Sequence, residues 1–217
     1  MKSYIKSGGM DTMEHSKYGD IFRCLRIAQD KSLRDISERV SSAYTYLQQI
    51  ESGKTSIPLV SFISLCNGYD IKPSKFMEIA EKVWEKDLSF NEILLLCAKH
   101  EGKKASNIIP INSNGNVLKI GLILKSIRIT MGKTSTALAY DMSSSLSMVS
   151  NIEKGRIVPS EQTLKKYLAV FKMSSTEFEN LYNEVVTRNL SYPQILSRCL
   201  TYDIKRQNKE SLQSQNK

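Results

Sequence analysis

Two short stretches of the chain set an aliphatic edge against an edge of small polar side chains. Over 44–51 a helical spacing turns Leu47 and Ile50 one way and Tyr44, Thr45, Gln48 and Gln49 the other. Over 146–153 the same spacing separates Val149 and Ile152 from Leu146, Ser147, Ser150 and Asn151. A Gln or Asn side chain donates and accepts at once, so it can bond an adenine edge in a bidentate way. Lys54, Lys154 and Arg156 follow directly and are the residue types that hold phosphates. Taken singly, Gln48, Gln49 and Asn151 are ordinary solvated helix residues; their recurrence gives them weight.

Other chemistries find no footing. The chain has no glycine-rich phosphate loop, and no His stands at a diagnostic spacing from a Cys or Ser, so no catalytic residue and no cofactor is expected. Cys24, Cys66, Cys97 and Cys199 are scattered, with no C-x-x-C pair, and read as small buried hydrophobes. With only His15 and His100 to add, no metal site is expected.

The elements that must position the two polar edges repeat. A shift of 102 residues lays Gly19 on Gly121, Arg26 on Arg128, Ser41 and Ser42 on Ser143 and Ser144, and Phe76 on Phe178. Ile50, Glu51 and Gly53 fall on Ile152, Glu153 and Gly155. Two copies of one unit are the simplest explanation. The first reads as helices over 18–30, 33–40, 44–52, 59–68 and 74–84, and the second as helices over 119–131, 135–142, 146–154, 160–171 and 175–187. Ser32 with Asp35, and Ser174 with Glu177, have the spacing of capping boxes, and Gly53 is a left-handed helix stop. Ser89 with Glu92 opens an extra helix over 90–100, outside the repeat.

The strings SLRDISERVSSAYTYLQQIESGK and TSTALAYDMSSSLSMVSNIEKGR resemble the phage-repressor and Cro-type helix-turn-helix family, the Xre family, over 19–78 and 121–180. The I-E-x-G-[KR] ending of both copies is the most specific part. The resemblance implies an all-α fold of two lambda-repressor-like five-helix domains in tandem. It implies ion pairs between Arg26 and Glu51 and between Arg128 and Glu153, each tying a first helix to a third. It places base reading on Tyr44, Thr45 and Gln49, and on Leu146, Ser147 and Asn151. The chain departs from the family at Leu33 and Ser135, where a phosphate-touching glutamine is common, and at Ser41 and Ser143, where the turn is commonly glycine.

Domain boundaries follow: a flexible N-terminus over 1–16, a first helix-turn-helix domain over 17–101, and a linker over 102–117 rich in Gly, Asn and Ser. A second domain follows over 118–188, then a C-terminal extension over 189–217 that is polar at its end and partly disordered. The net charge of +9 favours an anionic partner. It is unevenly spread, with 12 basic and 12 acidic residues in 17–101 against 10 and 6 in 116–188. The most apolar run, 93–98, is far too short to span a bilayer, and the N-terminus has no apolar signal core, so a cytoplasmic, nucleoid-associated protein is expected. These readings converge on a homodimeric repressor that binds double-stranded DNA and is not an enzyme. The alternative keeps DNA for the basic second domain and gives the neutral first domain to self-association or a protein partner.

Overall fold

The computed structural model describes residues 12–104 and 113–215, and these form twelve helices with no strand among them. The chain divides into two compact units, the first ending at Cys97 and the second starting at Ala98.

In the first unit α1 (Thr12–Ala28) is the central rod, and α3 (Tyr44–Glu51) and α5 (Pro73–Glu85) pack on it. Helix α2 (Leu33–Val40) lies on α3 and on α4 (Leu59–Gly68). Ile21, Phe22, Leu25, Ile36, Leu47, Tyr69 and Phe76 are buried completely. Phe22 is the hub of the aromatic core, 4.5 Å from Phe76 and 4.7 Å from Tyr69 between ring centres. Trp84 lies at the surface, 36% exposed and edge-on to Tyr18 at 4.6 Å. The N-terminal boundary also moves, because 12–16 already belong to α1. That extra turn has a neighbour to meet: a Cβ on Gly53 would lie 2.6 Å from the Cα of Ser16.

Helix α6 (Phe90–Lys104) starts in the first unit, where Ile93, Leu94 and Cys97 are buried. It does not stop at 100. Its last turn carries Lys103 and Lys104, which favour the negative end of a helix, and Lys104 reaches Glu101 at 3.0 Å. The expected linker is thus helical at both ends, in α6 up to Lys104 and in α7 from Ser113, and 105–112 lie outside the described residues.

The second unit is built around α7 (Ser113–Thr130). Helices α9 (Leu146–Glu153), α10 (Glu161–Phe171), α11 (Ser175–Thr187) and α12 (Tyr192–Gln215) pack on it, with α8 (Ser135–Asp141) against α9. The expected C-terminal extension is in fact part of this core. Ile195, Leu196 and Leu200 are fully buried and Cys199 nearly so. This stripe at i, i+1, i+4 and i+5 gives α12 an apolar face wide enough to dock. Arg206 fastens the next turn by donating to the Phe171 carbonyl at 3.1 Å. The polar end expected to be partly disordered continues the helix to Gln215, and its Lys, Glu and Gln are good helix formers.

Among the described residues a run of five helices and a closing one, α6 or α12, thus occurs twice in chain order, and the closing helices correspond. Ser89 and Ser191 both start capping arrangements, accepted by Glu92 and Gln194. Arg23 lies 5.1 Å above the Phe90 ring, and Lys125 lies 5.2 Å above Tyr192. Among the described residues ten have positive φ, and they form five pairs 102 apart: Asp30 and Gly132, Ser41 and Ser143, Gly53 and Gly155, Asp70 and Lys172, Asp87 and Asn189. The helix over 90–100, placed outside the repeat by sequence, has its counterpart in α12.

Candidate nucleic-acid interface

Each unit presents two short helices joined by a tight turn. In the first, Ser32 opens α2 with a full capping box, its Oγ accepting from Asp35 N at 3.2 Å while its own N–H donates to the Asp35 carboxylate at 2.7 Å. Those hydrogen bonds hold the Asp35 carboxyl below the usual carboxylate range. In the second, Thr134 caps α8 through Ala137 N at 3.0 Å, and Ser145 caps α9 through Met148 N at 3.1 Å. Between the helices, Ser41 and Ser143 take the left-handed conformation usually given to glycine. The first turn is tied back where Ser37 Oγ donates to the Ser42 carbonyl at 2.6 Å.

Behind each turn sits a buried ion pair. Arg26 Nε and Nη2 donate to Glu51 Oε1 and Oε2 at 2.7 and 2.6 Å, and Arg26 Nη1 donates to the Lys31 carbonyl at 3.1 Å. Arg128 repeats this with Glu153 at 2.7 and 2.9 Å, and with the Lys133 carbonyl at 2.7 Å. Burial disfavours the charge on Arg26, but its hydrogen bonds and attraction to Glu51 outweigh that and raise its pKa. Sequence reasoning missed a third member. Tyr69 OH donates to Glu51 Oε1 at 2.8 Å, and burial, with the Glu51 charge, pushes its pKa up. In the second unit Phe171 stands in that place, and Tyr167, one turn earlier, is the buried tyrosine whose pKa is raised by burial and then by Glu153.

The repeated glycines have a steric cause. A Cβ on Gly19 would lie 2.3 Å from the Ile50 carbonyl oxygen, and one on Gly121 lies at the same distance from that of Ile152. The first helix of each unit thus crosses the end of the third at backbone contact, and only glycine fits. Beyond the third helix, Lys54 N donates to Gln49 O at 2.9 Å and Arg156 N to Asn151 O at 2.8 Å, around left-handed Gly53 and Gly155. This stop sets exposed Lys54 at the exit of α3 and exposed Lys154 and Arg156 at the exit of α9.

The outward edges differ. On α3, Thr45, Gln48 and Gln49 are exposed, and Tyr44 is half-exposed beside an open groove lined by Arg34, Ser37 and Glu38. On α9, Leu146 and Ser147 are exposed, whereas Ser150 and Asn151 are half-buried, with Asn151 Nδ2 pointing at Ser147 Oγ at 3.5 Å. Met148, which spacing alone did not single out, stands out at 40% exposure next to Leu146 at 49%. The second face is therefore the more apolar, with Tyr140 of α8 also in solvent.

Residues 124–178 match the family model described as Helix-turn-helix. The match spans α8, α9 and the helices around them and supports a DNA-binding transcription regulator. It lies wholly in the second unit and covers about a quarter of the chain. No curated protein and no solved structure matches the chain.

All four cysteines are buried and free, and burial pushes the Cys66 thiol up to about 11 and that of Cys199 to about 12. Among the described residues no cluster of His, Cys, Asp and Glu could hold a metal ion, and no helix is long and apolar enough to cross a membrane.

Proposed function

We propose that the protein is a sequence-specific regulator of transcription, acting as a repressor rather than an enzyme, with α3 and α9 each laid in a major groove of double-stranded DNA. One observation carries the reading. Each of these helices shows a side-chain face to solvent while an Arg–Glu pair anchors its far end and cations stand at its exit. A helix held so rigidly can present base-reading groups without first paying to order them. The five left-handed pairs and the matching closing helices support two copies of one helix-turn-helix unit, although the family match touches the second alone. The protein acts in the cytoplasm, at the nucleoid, as a homodimer.

The division of labour follows the faces. Gln48 and Gln49 read adenine edges, and Leu146 and Met148 meet thymine methyls. Lys54, Lys154 and Arg156 hold phosphates. The test is selection of duplexes from a random pool by the full chain, followed by titration in rising salt. One dominant sequence is expected, with affinity falling linearly in log–log form; Arg156→Gln should reduce the slope by about 1. Binding indifferent to sequence refutes the proposal. The charge asymmetry favours a second reading, in which only the second unit holds DNA and the first binds protein. Gln48→Ala/Gln49→Ala separates the two, since on that reading it leaves the selected duplex bound as before.

A further inference from the structure

The exposed residues of α9 are the three that open it, Leu146, Ser147 and Met148, while Ser150 and Asn151 behind them are half-buried. A recognition helix meets base edges with its N-terminal residues. On α9 that end consists of two apolar side chains and one hydroxyl. Met148 is held in place, since Ser144 Oγ donates to its Sδ at 3.2 Å. The acidic groups on either side are occupied: Asp141 pairs with Lys133 at 2.7 Å, and Glu153 with Arg128 at 2.7 Å.

The first unit is an internal control. At the corresponding positions α3 opens with Tyr44, Thr45 and Tyr46, and it exposes the carboxamides of Gln48 and Gln49 in the next turn. Helix α2 adds the exposed carboxylate of Glu38, where α8 carries Tyr140 in solvent. The first unit thus offers fixed donors and acceptors beside its third helix, and the second withdraws them.

The bases show what such a face can tell apart. In the major groove thymine carries a methyl at C5 and an acceptor at O4, whereas cytosine carries a hydrogen at C5 and a donor at N4. Hydrogen bonding separates the two only where the protein holds a committed donor or acceptor. A serine hydroxyl is both and rotates to suit its partner. What is left for Leu146 and Met148 to sense is the methyl group, and 5-methylcytosine bears that methyl at the same place.

We propose that the second unit reads the C5 methyl of a pyrimidine rather than the base that bears it, so that cytosine C5 methylation of the duplex strengthens binding. Lys154 and Arg156, exposed where α9 ends, give this face the charge that suits a duplex. The helix-turn-helix match also falls on this unit. The inference rests on the proposed regulator and adds to it control by a modification of the DNA. Covering one methyl is worth about fourfold in affinity. The half-site of the first unit does not respond in this way, because Gln48 and Gln49 bond adenine N6 and N7, which the methyl leaves untouched.

Selection of duplexes by the full chain from three random pools tests it. One pool has the ordinary bases, one has uracil for thymine, and one has uracil for thymine with 5-methylcytosine for cytosine. The ordinary pool should yield a two-part motif, and Gln48→Ala/Gln49→Ala should erase the part read by α3 alone. In the methyl-free pool the part read by α9 should vanish. In the third pool it should return with 5-methylcytosine paired to guanine where thymine stood opposite adenine. Titration of single substitutions should show an about fourfold loss with uracil and recovery with 5-methylcytosine. Leu146→Asn/Met148→Gln, with helical content unchanged, should remove the methyl dependence. If that variant fails to fold, the three pools with the wild type still decide. An α9 part that persists in the methyl-free pool overturns the proposal, as does a methyl dependence that survives the double substitution. So does an α3 part found alone in every pool, which would leave the face of α9 to a protein partner. Those outcomes strike this proposal and spare the regulator, whereas no motif from any pool refutes both.

Discussion

Replacing Glu51 by alanine removes the acceptor on which two buried donors converge. Its carboxylate takes two hydrogen bonds from Arg26 and one from Tyr69 OH, and its side chain is 6% exposed. Removing one side of a buried ion pair costs about 3–5 kcal/mol, because the surviving charge loses its partner without regaining water. The Tyr69 hydroxyl, itself fully buried, adds about 1–3 kcal/mol when orphaned. Arg26 keeps the Lys31 carbonyl and is 17% exposed, which softens the first figure, so about 4 kcal/mol is expected overall. Arg26→Met/Glu51→Leu should recover most of that, since it leaves no charge behind. Tyr69→Phe should cost only about 1 kcal/mol. Trp84, the only tryptophan, sits in the first unit against Tyr18, so its fluorescence in urea reports the unit that carries the substitution. With a slope of about 1–3 kcal/mol per molar urea, the midpoint should fall by about one molar or more. A loss below about 1 kcal/mol, or a Tyr69→Phe loss equal to that of Glu51→Ala, refutes the view that the ion pair clamps α1 on α3.

Two further outcomes follow from the geometry. Gly121→Ala drives a Cβ to 2.3 Å from the Ile152 carbonyl, so a loss at the top of the ~1–3 kcal/mol range or above is expected. Gly132→Ala, left-handed but with nothing within 4 Å, should cost only about 1–2 kcal/mol; thermal melts of both variants check the ranking. Hydrogen bonds from Tyr202 and from Ser174 hold the Glu177 carboxyl below the usual range, so its contribution is present at neutral pH and is lost as pH falls through its folded pKa. Glu177→Gln should therefore lower the melting temperature at pH 7 and lose that effect only once the pH has fallen below the ordinary carboxylate range.

The two outward faces differ in a way that net charge does not reveal. The second unit is the more basic, yet its third helix exposes Leu146 and Met148 at the positions of Tyr44 and Tyr46, and half-buries Ser150 and Asn151 where the first exposes Gln48 and Gln49. Net charge governs attraction to any polyanion, whereas the groups on the recognition edge govern which bases are preferred.

What the sequence determined by itself was local and periodic. The spacing of Ile36, Leu47 and Ile50, the capping pair Ser32 and Asp35, and the stop at Gly53 each act within a few residues, so the helices at 33–40, 44–51 and 59–68 were legible from them. The 102-residue offset was legible too, because identical turn geometry demands similar residues at identical spacing. What only the tertiary structure decided was non-local. The stretch at 192–204 has the same semi-apolar pattern whether or not it docks; the open face of α7 makes it core. Gly19 and Gly121 stand in the sequence only as matched positions of the repeat until the crossing helix shows why glycine is needed there, and Tyr69 finds Glu51 only through the fold. Burial is a property of what arrives from far along the chain, and so the exposure of Met148 and of Asn151 could be learned only from the assembled units.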